Sequence, residues 1–130
     1  MILVIDDDPA IREFISIIMS GLGYEVVQAA DAETGLRLYR LVHPLLIITD
    51  IILPDQDGFH YIHEIRKVNQ DIPIIAMTSN VHGRASDYLA QSKLMGANEV
   101  MQKPLTIELV KQTVTELYPP RQGRTLEDMG

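Results

Sequence analysis

Short apolar runs alternate along the chain with segments in which apolar residues recur every three or four positions. Ile2-Leu3-Val4-Ile5 is rich in β-branched residues, as a strand buried on both faces should be. Ile11, Phe14, Ile15, Ile18, Met19 and Leu22 then follow the spacing of one helical stripe. Asp8 stands at the N-cap position of that helix and Pro9 at its first turn, while Gly21 and Gly23 end it. Tyr24 to Ala29 is predicted as a second strand. Asp31 caps a second helix, which runs through Leu36 and Tyr39 and stops before Pro44. Leu45 to Thr49 is a third apolar run and breaks off at Asp50. The loop Leu53-Pro54-Asp55-Gln56-Asp57-Gly58 leads into a helix carrying Phe59, Ile62 and Ile65, with Asp57 as its cap. Ile72 to Met77 predicts a fourth strand, a helix runs from about Arg84 to Met95, and Gly96 closes it. Asn98 to Gln102 predicts a short fifth strand, and Val110, Val114 and Leu117 mark a last helix.

Five strands alternating with five helices define an α/β chain, an open, doubly wound parallel sheet with right-handed crossovers and helices on both faces. The length of 130 residues suits one such domain. Pro119-Pro120-Arg121-Gln122-Gly123-Arg124 has linker composition, so the domain is expected over 1–118 and a tail or linker stub over 119–130. With no cysteine, a disulfide scaffold, a thiolate zinc site and thiol catalysis are all excluded. The chain shows neither a secretory signal nor an apolar stretch of membrane-spanning length, which makes a cytoplasmic location without membrane contact the expectation.

The net charge of −7 argues against a nucleic-acid-binding surface, and its distribution is more telling than its size. Asp6, Asp7, Asp8, Asp50, Asp55 and Asp57 fall in two short segments, and without them the chain is close to neutral. In open parallel sheets functional groups gather at the carboxyl ends of the strands. Asp6 and Asp7 follow the first strand, Asp50 the third, Thr78 the fourth and Lys103 the fifth, so one edge collects all five. Clustered carboxylates repel one another, and a hard divalent cation, Mg2+ or alternatively Mn2+ or Ca2+, relieves that conflict. Lys103 supplies a point charge for a phosphoryl oxygen and Thr78 a hydroxyl donor. Asp50, alone at its strand end, is the candidate nucleophile toward phosphorus, forming an aspartyl-phosphate.

Leu3-Val4-Ile5-Asp6-Asp7-Asp8, Ile48-Thr49-Asp50 with Leu53-Pro54 and Asp57-Gly58, Met77-Thr78-Ser79, Gly96-Ala97 and Lys103-Pro104 together resemble the receiver domain of two-component response regulators. The resemblance covers about residues 1 to 118 and implies a flavodoxin-like sheet of order 2-1-3-4-5. It implies Asp50 as phosphoacceptor, supplied by a sensor histidine kinase or His-phosphotransfer protein. Mg2+ would be held by Asp7, Asp50 and the main-chain carbonyl of Ile52, with Asp6 acting through water. Thr78 and Lys103 would bind phosphoryl oxygens, and Ser79 would leave the site open. The face built from the fourth helix, fifth strand and fifth helix would change on phosphorylation, meet an output domain or protein, or form a homodimer. Such a chain is a signalling switch modified about once per cycle, not a turnover enzyme. The alternatives are an Mg2+-dependent phosphohydrolase using Asp50 and a docking module that signals without phosphorylation.

This sequence departs from the family pattern at three places. Val100 stands where Tyr or Phe is usual, and the interval from Thr78 to Lys103 is long. Ile52 and Asn80 occupy positions that tune dephosphorylation, and apolar Ile52 implies a slowly decaying phosphoryl form. Competing readings of other residues are plainer. Asp8 and Asp57 are caps, and Asp55-Gln56-Asp57-Gly58 only mimics a phosphatase motif, since Pro54 interrupts the strand it needs. His60, His63 and Glu64 read as a solvated helix face, and Met77 and Met95 as core.

Overall fold

The computed structural model describes residues 1–79, 83 and 85–117. Strands β1 (Ile2–Ile5), β2 (Val26–Ala29), β3 (Leu46–Asp50), β4 (Ile74–Thr78) and β5 (Glu99–Gln102) alternate with five helices. These are α1 (Pro9–Gly21), α2 (Ala32–Val42), α3 (Gly58–Val68), α4 (Ala85–Met95) and α5 (Ile107–Leu117). The sheet is wholly parallel, in the order β2-β1-β3-β4-β5, as the resemblance implies. Asn80, the start of the predicted fourth helix at Arg84, Tyr118 and the 119–130 tail lie outside the described residues.

The central strands β1, β3 and β4 are buried on both faces, which explains their unbroken apolar runs. Alternate residues feed two cores. Leu3, Ile5, Ile47 and Ile74 pack with Tyr61, Ile62 and Ile65 of α3. Ile2, Val4, Leu46, Ile48, Ile75 and Met77 pack with Ile15, Ile18 and Met19 of α1 and with Val110 and Val114 of α5.

Two strands begin two residues later than predicted, and β3 and β5 one residue later. Tyr24 donates its N–H back to the Met19 carbonyl (3.0 Å), and Gly23 turns the chain at φ +91°, so β2 starts at Val26. Ile72 gives its N–H to Asn69 Oδ1 (2.9 Å) and Pro73 has none to give, so the fourth ladder starts at Ile74.

Register positions the site. Ile5 pairs with Thr49, Asp50 with Met77, and Thr78 with Gln102. The residues at the carboxyl ends of β1, β3, β4 and β5 therefore stand side by side.

Candidate functional site

Lys103 is the centre of this edge. Its Nζ donates to Asp6 Oδ2 at 2.8 Å and to Asp50 Oδ2 at 2.7 Å. Asp6 is fully buried and Asp50 nearly so. The second oxygen of Asp6 accepts the Asp8 N–H (2.9 Å), and that of Asp50 accepts the Ile52 N–H (3.0 Å). Asp7 is exposed, and one oxygen each from Asp6, Asp7 and Asp50 can lie within 4.8 Å of the others. Strand pairing thus joins Asp6, Asp7, Asp50 and Lys103, up to 97 positions apart.

Burial pushes the Asp6 carboxyl up, and the neighbouring Asp50 pushes the same way. Lys103 and the Asp8 amide offset only part of this. Burial pulls on Lys103 in the opposite sense, but hydrogen bonds to Asp50 and Asp6 outweigh it and hold the ammonium above its ordinary value. One ammonium therefore bridges two of the three clustered carboxylates. That donor set, all hard oxygens with excess negative charge, fits a divalent cation of the Mg2+ type.

The remaining predicted residues divide. Thr78 is buried, and its Oγ1 donates to the carbonyl of Ser79 (3.0 Å), while its own carbonyl accepts the Lys103 N–H (2.7 Å). The hydroxyl is thus at the site edge but engaged with the next residue. Ile52 is 48% exposed and makes an antiparallel bridge to Asp57 at the neck of the β3–α3 loop. Val100 lies half-buried on β5 against the core shared with α3. His60 and His63 are exposed, and Glu64 is paired with Lys67 (3.1 Å), so these three form a solvated face.

The six clustered acids have two uses. Asp6, Asp7 and Asp50 make the pocket, whereas Asp8, Asp55 and Asp57 cap helices. Asp8 accepts the Ala10 N–H (2.9 Å) and Asp57 the Phe59 N–H (2.6 Å), as their positions predict. The role of Asp55 is not legible in the sequence. Its two oxygens accept the N–H groups of Ala32 and Glu33 at the start of α2, both at 2.9 Å. Desolvation works against ionisation there, but these amide bonds prevail and hold the carboxyl below its ordinary range. Arg12 carries no such signal in the sequence either, and its Nη1 donates to the Asp6 carbonyl (2.7 Å), bracing the other acidic loop. Gly58 is required by contact, because a Cβ there would lie 2.4 Å from the Ile51 Cα and 2.5 Å from the Asp50 carbonyl oxygen.

A parallel five-stranded sheet in the order β2-β1-β3-β4-β5 with five helices defines a class, the flavodoxin-like α/β domains of the receiver type. The model of the response regulator receiver domain family matches residues 2–115, and the chain belongs to that family. It is 36% identical over 125 residues to a probable transcriptional regulator, ycf27, of Cyanophora paradoxa, covering 96% of this chain and 51% of that protein. It is 31% identical over 121 residues to the sensor histidine kinase RcsC of Escherichia coli, covering 93% of this chain and 12% of that one. The chain therefore spans about half, or much less, of the curated relatives it matches. Among solved structures, the receiver domain of NtrX from Brucella abortus superposes with a TM-score of 0.83 at 27% identity, covering 90% of this chain and 97% of that one. Among the described residues, no helix is long and apolar enough to cross a membrane.

Proposed function

We propose that this receiver domain is a phosphorylation switch whose acceptor is Asp50, acting with Mg2+ or Mn2+ and charged by a histidine kinase or His-phosphotransfer protein. The observation that carries this reading is the Lys103 ammonium shared between Asp6 and Asp50, with Asp7 beside them. Asp7, Asp50 and the Ile52 carbonyl would hold the cation, with Asp6 assisting through water. Bound there, the cation would offset carboxylate charge and attract phosphoryl oxygens.

Asp50 attacks the phosphorus of a phosphohistidine through one carboxylate oxygen. An O–P bond forms as the N–P bond breaks, and its electron pair leaves on the imidazole nitrogen. Lys103 donates to that carboxylate and lies within reach of the incoming phosphoryl oxygens. Thr78 can donate to the phosphoryl group only by releasing the Ser79 carbonyl, so its rotation is coupled to modification. That exchange biases the α4–β5–α5 face toward an output domain or protein, or toward a second copy. Val100 excludes an aromatic side chain at its own position from this transmission, which leaves the backbone and the β4–α4 loop to carry it.

The domain modifies itself and does not turn over external phosphoesters. The test is phosphate release from acetyl phosphate with Mg2+ over many equivalents. A switch gives release limited by its slow dephosphorylation, and Asp50→Asn removes it. Rapid steady hydrolysis of unrelated phosphoesters would identify a phosphohydrolase instead.

A further inference from the structure

We propose that Asp55, which is no ligand itself, is a positioning residue that sets the cation affinity of the pocket by anchoring the β3–α3 loop to the N-terminus of α2. The inference rests on the reading above, in which the Ile52 main chain contributes to the cation site.

The loop between Asp50 and α3 is closed at its neck. Gly58 donates to the Ile51 carbonyl at 2.8 Å, and Ile52 bridges Asp57. These ties leave residues 53–56 as a tip. Leu53 is buried, but Pro54 and Asp55 are exposed, so packing holds only one end of it. The Asp55 carboxylate supplies the fastening, with one oxygen on the Ala32 N–H and the other on the Glu33 N–H, 23 and 22 positions away.

The partner is built to receive it. A helix start leaves N–H groups without intrahelical acceptors and carries positive partial charge. Asp31, the cap of α2 itself, takes the Thr34 N–H at 2.7 Å, and the Asp31 carbonyl takes that of Gly35 at 3.0 Å. Ala32 and Glu33 are the donors left over, and Asp55 takes both. Charge-assisted, two-pronged bonds fix direction as well as distance. Because Asp55 is exposed, its contribution to global stability is modest, whereas its effect on where the loop lies is local and direct. Asp31 and Asp55 cap the same helix, yet only Asp55 belongs to the loop that follows the phosphoacceptor.

That pairing supplies the experiment. Mg2+ binding by the full chain is measured by isothermal titration calorimetry for wild type, Asp55→Ala, Asp55→Asn and Asp31→Ala, with thermal unfolding recorded for each. Asp55→Ala is expected to weaken Mg2+ about tenfold, as loss of groups supporting metal ligands does. The ratio should persist in about 0.5 M KCl, where long-range charge effects are screened. Asp55→Asn, which keeps one acceptor, should fall between. Asp31→Ala should lose comparable thermal stability and keep wild-type affinity. Wild-type affinity in Asp55→Ala, a deficit that disappears in high salt, or an equal deficit in Asp31→Ala would each overturn the proposal. If wild type itself takes up no Mg2+, the reading of the pocket fails, and this inference with it.

Discussion

Asp6, Asp7 and Asp50 are three carboxylates that the fold forces together with one ammonium among them. Metal binding to such a pocket stabilises the folded chain by linkage, by about 2.7 kcal/mol at a hundredfold excess over Kd. Asp7→Asn is expected to lose most of that gain while leaving the metal-free domain at least as stable, because it relieves repulsion and removes no hydrogen bond seen in the structure. Thermal unfolding with and without Mg2+ checks this. Asp55 gives a pH test. Its folded carboxyl lies below its unfolded value, so the unfolded chain binds more protons in that window. The stability it contributes is complete above about pH 4 and is lost as pH falls through the folded value. The gap between wild type and Asp55→Asn in urea unfolding should therefore be present at about pH 6 and narrow toward about pH 2.

At the scale of elements, the strands, the helices and three of their caps follow from patterning alone. β-branched runs mark the strands, and Asp8, Asp31 and Asp57 sit where helix starts need them. Side chains that act across elements escape such reading. Asp55 finds its donors only after α2 and the β3–α3 loop are neighbours, and no periodicity encodes that. Arg66 is a second case. Its guanidinium donates to the carbonyls of Gly96, Asn69 and Ile72 and to Asn98 Oδ1, between 2.8 and 3.1 Å, tying the end of α3 to the α4–β5 turn. Gly96 accommodates it at φ +120°, where a Cβ would come within 2.9 Å of the Arg66 side chain. In the sequence Arg66 is only one more cation near a helix end. Arg66→Ala is expected to destabilise the domain by about 2–3 kcal/mol, as several carbonyls lose a charged donor, and Arg66→Lys should restore only part of this. Chemical denaturation measures both.

For the whole molecule, the two acidic loops and the lysine were legible because parallel strands end on one edge, and the register then makes Asp6, Asp50, Thr78 and Lys103 neighbours. Less legible was the state of Thr78, whose hydroxyl is turned to Ser79 in this conformation. Under the proposed function a switch needs two arrangements, and this bond would belong to one of them. The proposed function makes Asp50 the acceptor of a phosphoryl group in a metal-dependent step. Intact-mass spectrometry after incubation with acetyl phosphate tests it most directly. The predicted result is a single added phosphoryl group that requires Mg2+, is released by hydroxylamine and is absent from Asp50→Asn. An adduct that forms in excess EDTA, or that survives in Asp50→Asn, would contradict the account.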